Sequence, residues 1–186
     1  MLDRKPSNYL LFIGRLNHKK GIDLLLRAVA TSKEFRSKGC KLKIAGAGPE
    51  PYKNYLKELS DELGLASAVE FLGQVEGVNK QQLYANAYFT FMPSHSENFG
   101  NVVVESLAQG TPVVASKGTP WRSLEDERIG HWIENDVRSL ANTIDEILRM
   151  PEEEYAGYRS RARCYVERNM EIRNNFDQWL QFYSEI

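Results

Sequence analysis

The sequence has few cysteines, no long apolar run and no excess of either charge sign. Its 186 residues contain two cysteines, Cys40 and Cys164, and neither lies in a CxxC pair or near a pair of histidines. Two cysteines are too few for a disulfide framework, and their surroundings argue against a metal site. We therefore expect a chain that works in a reducing, cytoplasmic setting without a bound metal.

The absence of a long apolar run excludes a membrane-spanning helix, because such a helix needs about 20 consecutive apolar residues. The opening stretch Met1–Asn8 is short and polar, which is not typical of a signal peptide. A strand-like run then begins directly at Tyr9. From this abrupt start we expect the chain to be a piece of a longer protein.

Neither charge sign dominates, since 24 Lys and Arg residues stand against 25 Asp and Glu residues, for a formal net charge of -1. A surface that binds nucleic acid usually shows a basic excess, so we expect no nucleic-acid partner. Hydrophobic residues make up 42% and charged residues 26%, which indicates a folded globular chain rather than a disordered one.

Short apolar runs alternate along the chain with segments of helical periodicity. The runs that predict strands are Tyr9–Ile13, Leu42–Ala45, Val69–Leu72, Tyr88–Met92, Val113–Ala115 and a short one at His131–Ile133. The segments that predict helices are Gly21–Arg36, Tyr52–Leu63, Lys80–Ala87, Asn101–Gln109, Val137–Arg149, Glu152–Val166 and Ile172–Tyr183. The irregular stretch Lys117–Gly130 is expected to be a loop.

This alternation predicts an α/β fold: one doubly wound parallel sheet of five or six strands with helices on both faces and a helical C-terminal tail. Ligands of such sheets bind at the carboxyl ends of the strands, so the loops after the strands are the candidate site. Those loops are Gly14–Lys20, Gly46–Glu50, Gly73–Val78, Pro93–Gly100 and Ser116–Trp121.

The first two of these loops carry weak signals for an anion. Arg15 follows the end of the first strand and Lys20 stands at the start of the next helix, so a phosphate there would meet two cations and free backbone N–H groups. A solvated basic loop explains the same residues, and the Walker A pattern is absent. Gly46 and Gly48 form a GxG, but it follows the second strand and lacks the third glycine of the dinucleotide fingerprint, so this loop alone favours a plain tight turn.

The fourth loop is the most informative, because it brings two glutamates eight positions apart. Glu97 lies on the loop, and Glu105 lies about one turn into the next helix among apolar residues. A carboxylate in such surroundings needs a partner, which the hydroxyls of a ribose or hexose supply; the alternative is that Glu105 faces solvent. Gly100 exposes free N–H groups at the helix start. His95 and Trp121 are expected to be loop or packing residues.

Five motifs occur in this order: GRL…KKG at Gly14–Gly21, AGAGPE at Ala45–Glu50, FLGQV at Phe71–Val75, PSHSENFGNVVVE at Pro93–Glu105 and QGTPVVAS at Gln109–Ser116. Together they resemble the C-terminal, donor-binding half of a GT-B glycosyltransferase of the retaining, group 1 type. The resemblance runs from Tyr9 to Arg149. It implies a Rossmann-like, nucleotide-sugar-binding domain over residues 1–186, with the helical tail at about 150–186.

The resemblance also implies residue roles. Arg15 and Lys20 would stabilise the leaving nucleoside diphosphate without a metal or other cofactor, Glu97 would face the donor sugar, and Glu105 would hold the ribose. Arg15, Lys20 and Glu97 are thus the expected catalytic residues. The other expected donor-binding residues are Gly14, Gly46, Gly48, Phe71, Gly73, Asn98, Phe99, Gly100 and Asn101.

The implied reaction is transfer of a hexose from a nucleotide-sugar to an acceptor with retention, in glycan or polysaccharide biosynthesis. The acceptor-binding N-terminal half of that architecture is absent from this sequence, so the chain alone is expected to be inactive, and the full enzyme could associate with a membrane surface. The family often has Gly-Gly-x-x-Glu after the fifth strand, where this chain has Lys117–Trp121. A nucleotide-binding module without catalysis is the alternative, and an oxidoreductase is disfavoured because GxGxxG does not follow the first strand.

Overall fold

Six parallel strands form one sheet in the part of the chain that the computed structural model describes, residues 8–170. The strand order is β3-β2-β1-β4-β5-β6. All neighbouring pairs are parallel. The strands are β1 (Tyr9–Ile13), β2 (Lys41–Ala45), β3 (Val69–Gly73), β4 (Phe89–Met92), β5 (Val113–Ser116) and β6 (Gly130–Ile133).

Helices cover both faces of the sheet. One face carries α1 (Ile22–Thr31), α2 (Lys33–Ser37), α3 (Glu50–Glu62) and α7 (Val137–Arg149). The other face carries α4 (Gly77–Asn86), α5 (Asn101–Ala108), α6 (Ser123–Asp126) and α8 (Glu152–Asn169). The predicted helix Ile172–Tyr183 lies outside the described residues.

The central strand β1 shows why the apolar runs predict buried strands. All five of its residues are buried. Leu10 and Phe12 pack in the core on the α1 face, whereas Tyr9, Leu11 and Ile13 pack in the core on the α4 face. Because successive side chains point to opposite faces, a strand covered on both sides needs an uninterrupted apolar run. The predicted α/β fold with a doubly wound parallel sheet is confirmed, and the sheet has six strands in the described residues.

The predicted helix Gly21–Arg36 is wrong in one respect, because the chain breaks it at Ser32 into α1 and α2. Ser32 has an extended backbone with ψ of 127°, and its hydroxyl accepts a hydrogen bond from the Phe35 N–H at 3.1 Å. This is the geometry of a helix N-cap. A cap of this kind interrupts the backbone without interrupting the apolar periodicity, so the pattern alone does not reveal it.

The expected loop Lys117–Gly130 is also partly wrong, because it contains the short helix α6. Leu124 of that helix is fully buried in the core beneath α5. Four helical residues are too few for a periodicity to stand out in the sequence. The segment is therefore an ordered, packed connection between β5 and β6.

The strand order reverses direction between β1 and β4. Leu10, Leu11 and Phe12 of β1 pair with Phe89, Thr90 and Phe91 of β4. The chain leaves β1 toward β2 on one side and leaves β4 toward β5 on the other side, so the loops after these two strands diverge and a crevice forms between them. The loops that follow β1 and β4 are the ones that contain the predicted catalytic residues Arg15, Lys20 and Glu97.

The N-cap at Ser32 can be tested by mutation. We expect Ser32→Ala to lower the free energy of unfolding by about 1–2 kcal/mol, because the Phe35 N–H loses its acceptor and the Asp145 carboxylate loses the hydroxyl donor. Chemical denaturation measures this change. The matched control is Ser37→Ala at the other end of α2, where the hydroxyl is exposed; it should cost less than about 0.5 kcal/mol. Equal costs for both variants would contradict the assignment.

Candidate functional site

A cleft of about 260 Å³ opens at the carboxyl edge of the sheet, between β1 and β4. Its inner walls are the apolar side chains of Phe12 and Met92. The sequence-predicted site residues that line it are Lys20, Glu97, Phe99, Gly100 and Asn101. The structure thus brings the first and fourth predicted loops together around one space.

Backbone contacts hold these two loops against each other. The His95 N–H donates a hydrogen bond to the Lys19 carbonyl at 2.8 Å. Gly21 lies so close to Pro93 that a Cβ at position 21 would be 2.1 Å from the Pro93 carbonyl oxygen. Any side chain at position 21 would push the loops apart. The neighbouring Lys20 is therefore held at a fixed place beside the loop after β4.

The Lys20 ammonium donates a hydrogen bond to Glu97 Oε1, and the two side chains are only 19% and 15% exposed. Burial disfavours the charged form of Glu97, but the hydrogen bond from Lys20 and the charges of Lys20 and Lys19 outweigh it and lower the pKa of Glu97 below its ordinary value. Glu97 is therefore a carboxylate at neutral pH. The sequence assigned these residues to different parts of a ligand and did not indicate that they contact each other.

Arg15 lies on the same loop but is exposed, and it does not line the cleft. Its guanidinium makes no hydrogen bond or ion pair with any residue in the range 8–170. Asn98 is exposed as well. Arg15 thus offers an unengaged bidentate donor for a carboxylate or phosphate near the mouth of the first loop.

The glycines of the second loop have a structural explanation. A Cβ on Gly46 would lie 1.8 Å from the Gly14 carbonyl oxygen, and one on Gly48 would lie 2.2 Å from the Leu16 carbonyl oxygen. The loop after β2 packs directly on the backbone of the loop after β1, where the Leu16 N–H donates to the Ala47 carbonyl at 2.8 Å. Close packing of these two loops therefore requires both glycines, whatever they do for a ligand.

The third loop stands apart from the cleft. Phe71 is partly buried against the core, and the Gly73 carbonyl accepts a hydrogen bond from the Gly46 N–H at 2.7 Å. Neither residue is among those that line the cleft. The donor-binding roles of Gly14, Gly46, Gly48, Phe71 and Gly73 stay predictions.

Glu105 has two partners that the sequence analysis missed. Its Oε1 accepts a hydrogen bond from the Lys80 ammonium at 2.7 Å, and its Oε2 accepts one from the Tyr84 hydroxyl at 2.8 Å. Burial, followed by the charge of Glu105, raises the pKa of Tyr84, so the phenol stays a hydrogen-bond donor. Glu105 is 39% exposed, which leaves part of the carboxylate accessible. The spacing of Lys80 and Tyr84, four positions apart on α4, was the available signal, because such residues share one helix face.

The first turn of α5 supplies unpaired N–H groups at the cleft. Gly100 is its N-cap and provides no side-chain cap. The amides of Gly100, Asn101 and Val102 donate to no group within the described part of the chain. Free amides at the positive end of a helix dipole favour an anion, and Lys20 adds a cation on the opposite wall. The arrangement can therefore bind and stabilise a negatively charged group.

Trp121 is a packing residue, as expected, but its hydrogen bond to the loop after β4 was not predicted. Its indole is buried, and Nε1 donates a hydrogen bond to the Phe99 carbonyl.

No group of three or more His, Cys, Asp or Glu side chains in residues 8–170 could hold a metal ion. None of the helices in that range combines the length and apolar character that crossing a membrane requires.

The chain is similar to known glycosyltransferases. A family model described as glycosyl transferases group 1 matches residues 2–164. The chain is 36% identical over 151 residues to a D-inositol 3-phosphate glycosyltransferase of Thermobifida fusca, a match that covers 76% of this chain and 35% of that protein.

Solved structures share its fold. Sucrose-phosphate synthase from Thermosynechococcus elongatus superposes with a TM-score of 0.82 at 27% identity, over 100% of this chain and 46% of that one. Anabaena Alr3699/HepE, in complex with UDP and glucose, superposes with a TM-score of 0.80 at 22% identity, over 97% of this chain and 49% of that one. The chain thus spans less than half the length of each of these proteins.

The contact between Lys20 and Glu97 leads to a test with a simple anion. We expect Glu97→Gln to strengthen binding of inorganic pyrophosphate roughly threefold to tenfold, because Lys20 loses its charged partner and its full charge becomes available. Titration calorimetry at low salt measures the affinity. Glu134→Gln is the matched control, since it releases Lys117, an exposed lysine of the same sheet edge. An unchanged affinity for Glu97→Gln, or an equal gain for the control, would contradict this interpretation.

Proposed function

Because the chain belongs to the group 1 glycosyl transferases, we propose that it is the donor-binding domain of an enzyme that moves a hexose from a nucleoside diphospho-sugar to an acceptor with retention of configuration. The observation that carries the proposal is the convergence of Lys20, Glu97 and the free amides of Gly100–Val102 on one cleft at the switch point of the sheet. The diphosphate is the negatively charged part of such a donor, and cations and backbone N–H groups are the protein groups that bind it.

The residues divide the donor between them. Lys20 and Arg15 carry the charges that stabilise the leaving diphosphate, and the first turn of α5 adds N–H donors and the helix dipole. Glu97, which lies beside Lys20, faces the sugar. When a donor binds, Lys20 exchanges part of its contact with Glu97 for the phosphate oxygens, and the Glu97 carboxylate becomes free to accept from sugar hydroxyls. We propose that this chemistry needs no metal, because protein groups supply the positive charge.

Transfer also needs an acceptor held against the donor and the exclusion of water, and the crevice offers one wall only. We propose that an acceptor-binding half completes the site, because the chain spans less than half the length of the three similar proteins named above. On this account the chain alone binds the donor without turning it over. We propose that the full enzyme works in the cytoplasm, in glycan or polysaccharide synthesis.

Binding of a nucleoside diphosphate by the chain itself tests the proposal, and UDP is the first probe because a protein of similar fold holds it. We expect UDP to bind in the presence of EDTA. Lys20→Met should weaken that binding by about 1.5–3 kcal/mol, since a charge-assisted hydrogen bond is lost. Calorimetry gives both values. Lys57→Met, which removes an exposed lysine of α3, should bind UDP like the parent chain. Binding that disappears in EDTA and returns with magnesium would refute the metal-free site.

The role of Glu105 can be separated from that of the phosphate groups. We expect Glu105→Gln to weaken UDP about tenfold or more and to leave inorganic pyrophosphate unaffected, because this carboxylate accepts from ribose hydroxyls only. Parallel titrations with both ligands measure the difference. Lys80→Met is the matched variant, since it removes a neighbour of Glu105 without removing the carboxylate. If Glu105→Gln binds UDP like the parent, Glu105 has a purely structural role with Lys80 and Tyr84.

A further inference from the structure

The end of β5 and the segment that follows it hold the loop after β4 at three separate points. Each point is a hydrogen bond between a group of residues 116–121 and the backbone of residues 94–99. They join the Ser116 hydroxyl to the Ser94 carbonyl, the Glu97 N–H to the Gly118 carbonyl, and the Trp121 indole to the Phe99 carbonyl. The last of these contacts lies directly before the first turn of α5, where the unpaired amides are found.

Trp121 is a rigid anchor for this last contact. Its side chain is 3% exposed and packs in the core with Val103 and Leu107 of α5. Its carbonyl accepts a hydrogen bond from the Leu124 N–H at 3.0 Å, which ties it to α6. The Phe99 ring lies against the indole at a centroid distance of 5.2 Å. A buried indole held in this way fixes both the carbonyl and the ring of Phe99.

The orientation of the Phe99 carbonyl decides where the next N–H points. A trans peptide is planar, and its C=O and N–H lie on opposite sides. The described chain has no cis peptide bonds, so the Gly100 N–H points away from the buried indole. Phe99, Gly100 and Asn101 all line the cleft. Because the Gly100 N–H is turned away from the indole and has no partner in residues 8–170, we infer that it faces the cleft.

Gly100 makes an external anchor necessary. Its φ is +86°, a conformation that glycine reaches at no steric cost and that other residues rarely adopt. The same freedom lets the Phe99–Gly100 peptide rotate, so the local sequence does not fix its orientation. A hydrogen-bond donor from outside the loop must fix the orientation of this peptide, and the indole N–H of Trp121 does so by donating to the Phe99 carbonyl.

We propose that Trp121 is a positioning residue: its indole N–H fixes the Phe99–Gly100 peptide so that the amides of Gly100, Asn101 and Val102 meet the donor phosphate. This rests on the proposed function, in which that phosphate occupies the cleft. The segment Lys117–Trp121 stands where the family often has Gly-Gly-x-x-Glu. In this chain Trp121 of that segment acts indirectly, because it orients backbone N–H groups that contact the ligand.

An isostere that lacks only the N–H tests the proposal without removing the packing. Position 121 is replaced with 3-benzothienylalanine, which carries sulfur in place of the indole N–H. We expect affinity for UDP and for inorganic pyrophosphate to fall by the same factor, about fivefold to tenfold, because both ligands use the amides through phosphate. Calorimetry measures both affinities, well below the melting temperature.

The same replacement at Trp132 is the matched control, since that indole N–H donates to the Thr119 carbonyl at 3.0 Å, away from Phe99. If an indole N–H has only a structural role, its loss lowers the melting temperature and leaves the affinity for phosphate ligands unchanged. Equal affinity losses at both positions, or no loss at position 121, would overturn the positioning role.

Failure of the proposed function gives a different result, since the parent chain would then not bind UDP. In that case the amide NMR signal of Gly100 decides the inference. Its chemical shift should change with the isostere at position 121 and stay the same with the isostere at position 132. A signal that does not respond at position 121 would refute the anchor.

Discussion

At the carboxyl edge of the two central strands, the backbone of Gly21 lies against the carbonyl of Pro93. This close approach fixes the separation of the loops that follow β1 and β4. The loops belong to neighbouring strands that feed opposite halves of the fold. Their contact determines how near Lys20 comes to Glu97 and how wide the cleft is. Core packing on both sides of β1 and β4 holds the strands in register, so the geometry of the site is set by the least deformable part of the sheet.

The electrostatics of the site follow from this geometry. The chain as a whole is nearly neutral, yet the cleft has the Lys20 cation on one wall and the unpaired amides of α5 on the other. Both glutamates of the site have partners within the protein. Glu97 is paired with Lys20, and Glu105 is paired with Lys80 and Tyr84. A ligand that contacts Lys20, Glu97 or Glu105 therefore replaces an existing partner, whereas Arg15 is unpaired. Such exchange lowers the net gain from each contact, and it makes affinity depend on residues that never touch the ligand.

Much of the fold was predictable from the sequence, because its information is local. The apolar runs and helical periods correctly indicated the parallel sheet and its covering helices, and the family seen in five ordered motifs is confirmed. The break at Ser32 and the helix α6 were missed. In both cases a short-range hydrogen bond or a single buried leucine decides the backbone, and neither leaves a periodic trace.

The sequence by itself determined the order of elements and the residue types at the ends of the strands, including Lys20, Glu97 and Gly100 at one edge. Only the tertiary structure decided which of these residues meet. The pairing of Lys20 with Glu97, the donors on Glu105 and the indole of Trp121 on Phe99 join positions between 21 and 77 residues apart. Contacts across such separations depend on how crossovers stack strands side by side, and that stacking is a property of the whole packed sheet rather than of any one segment.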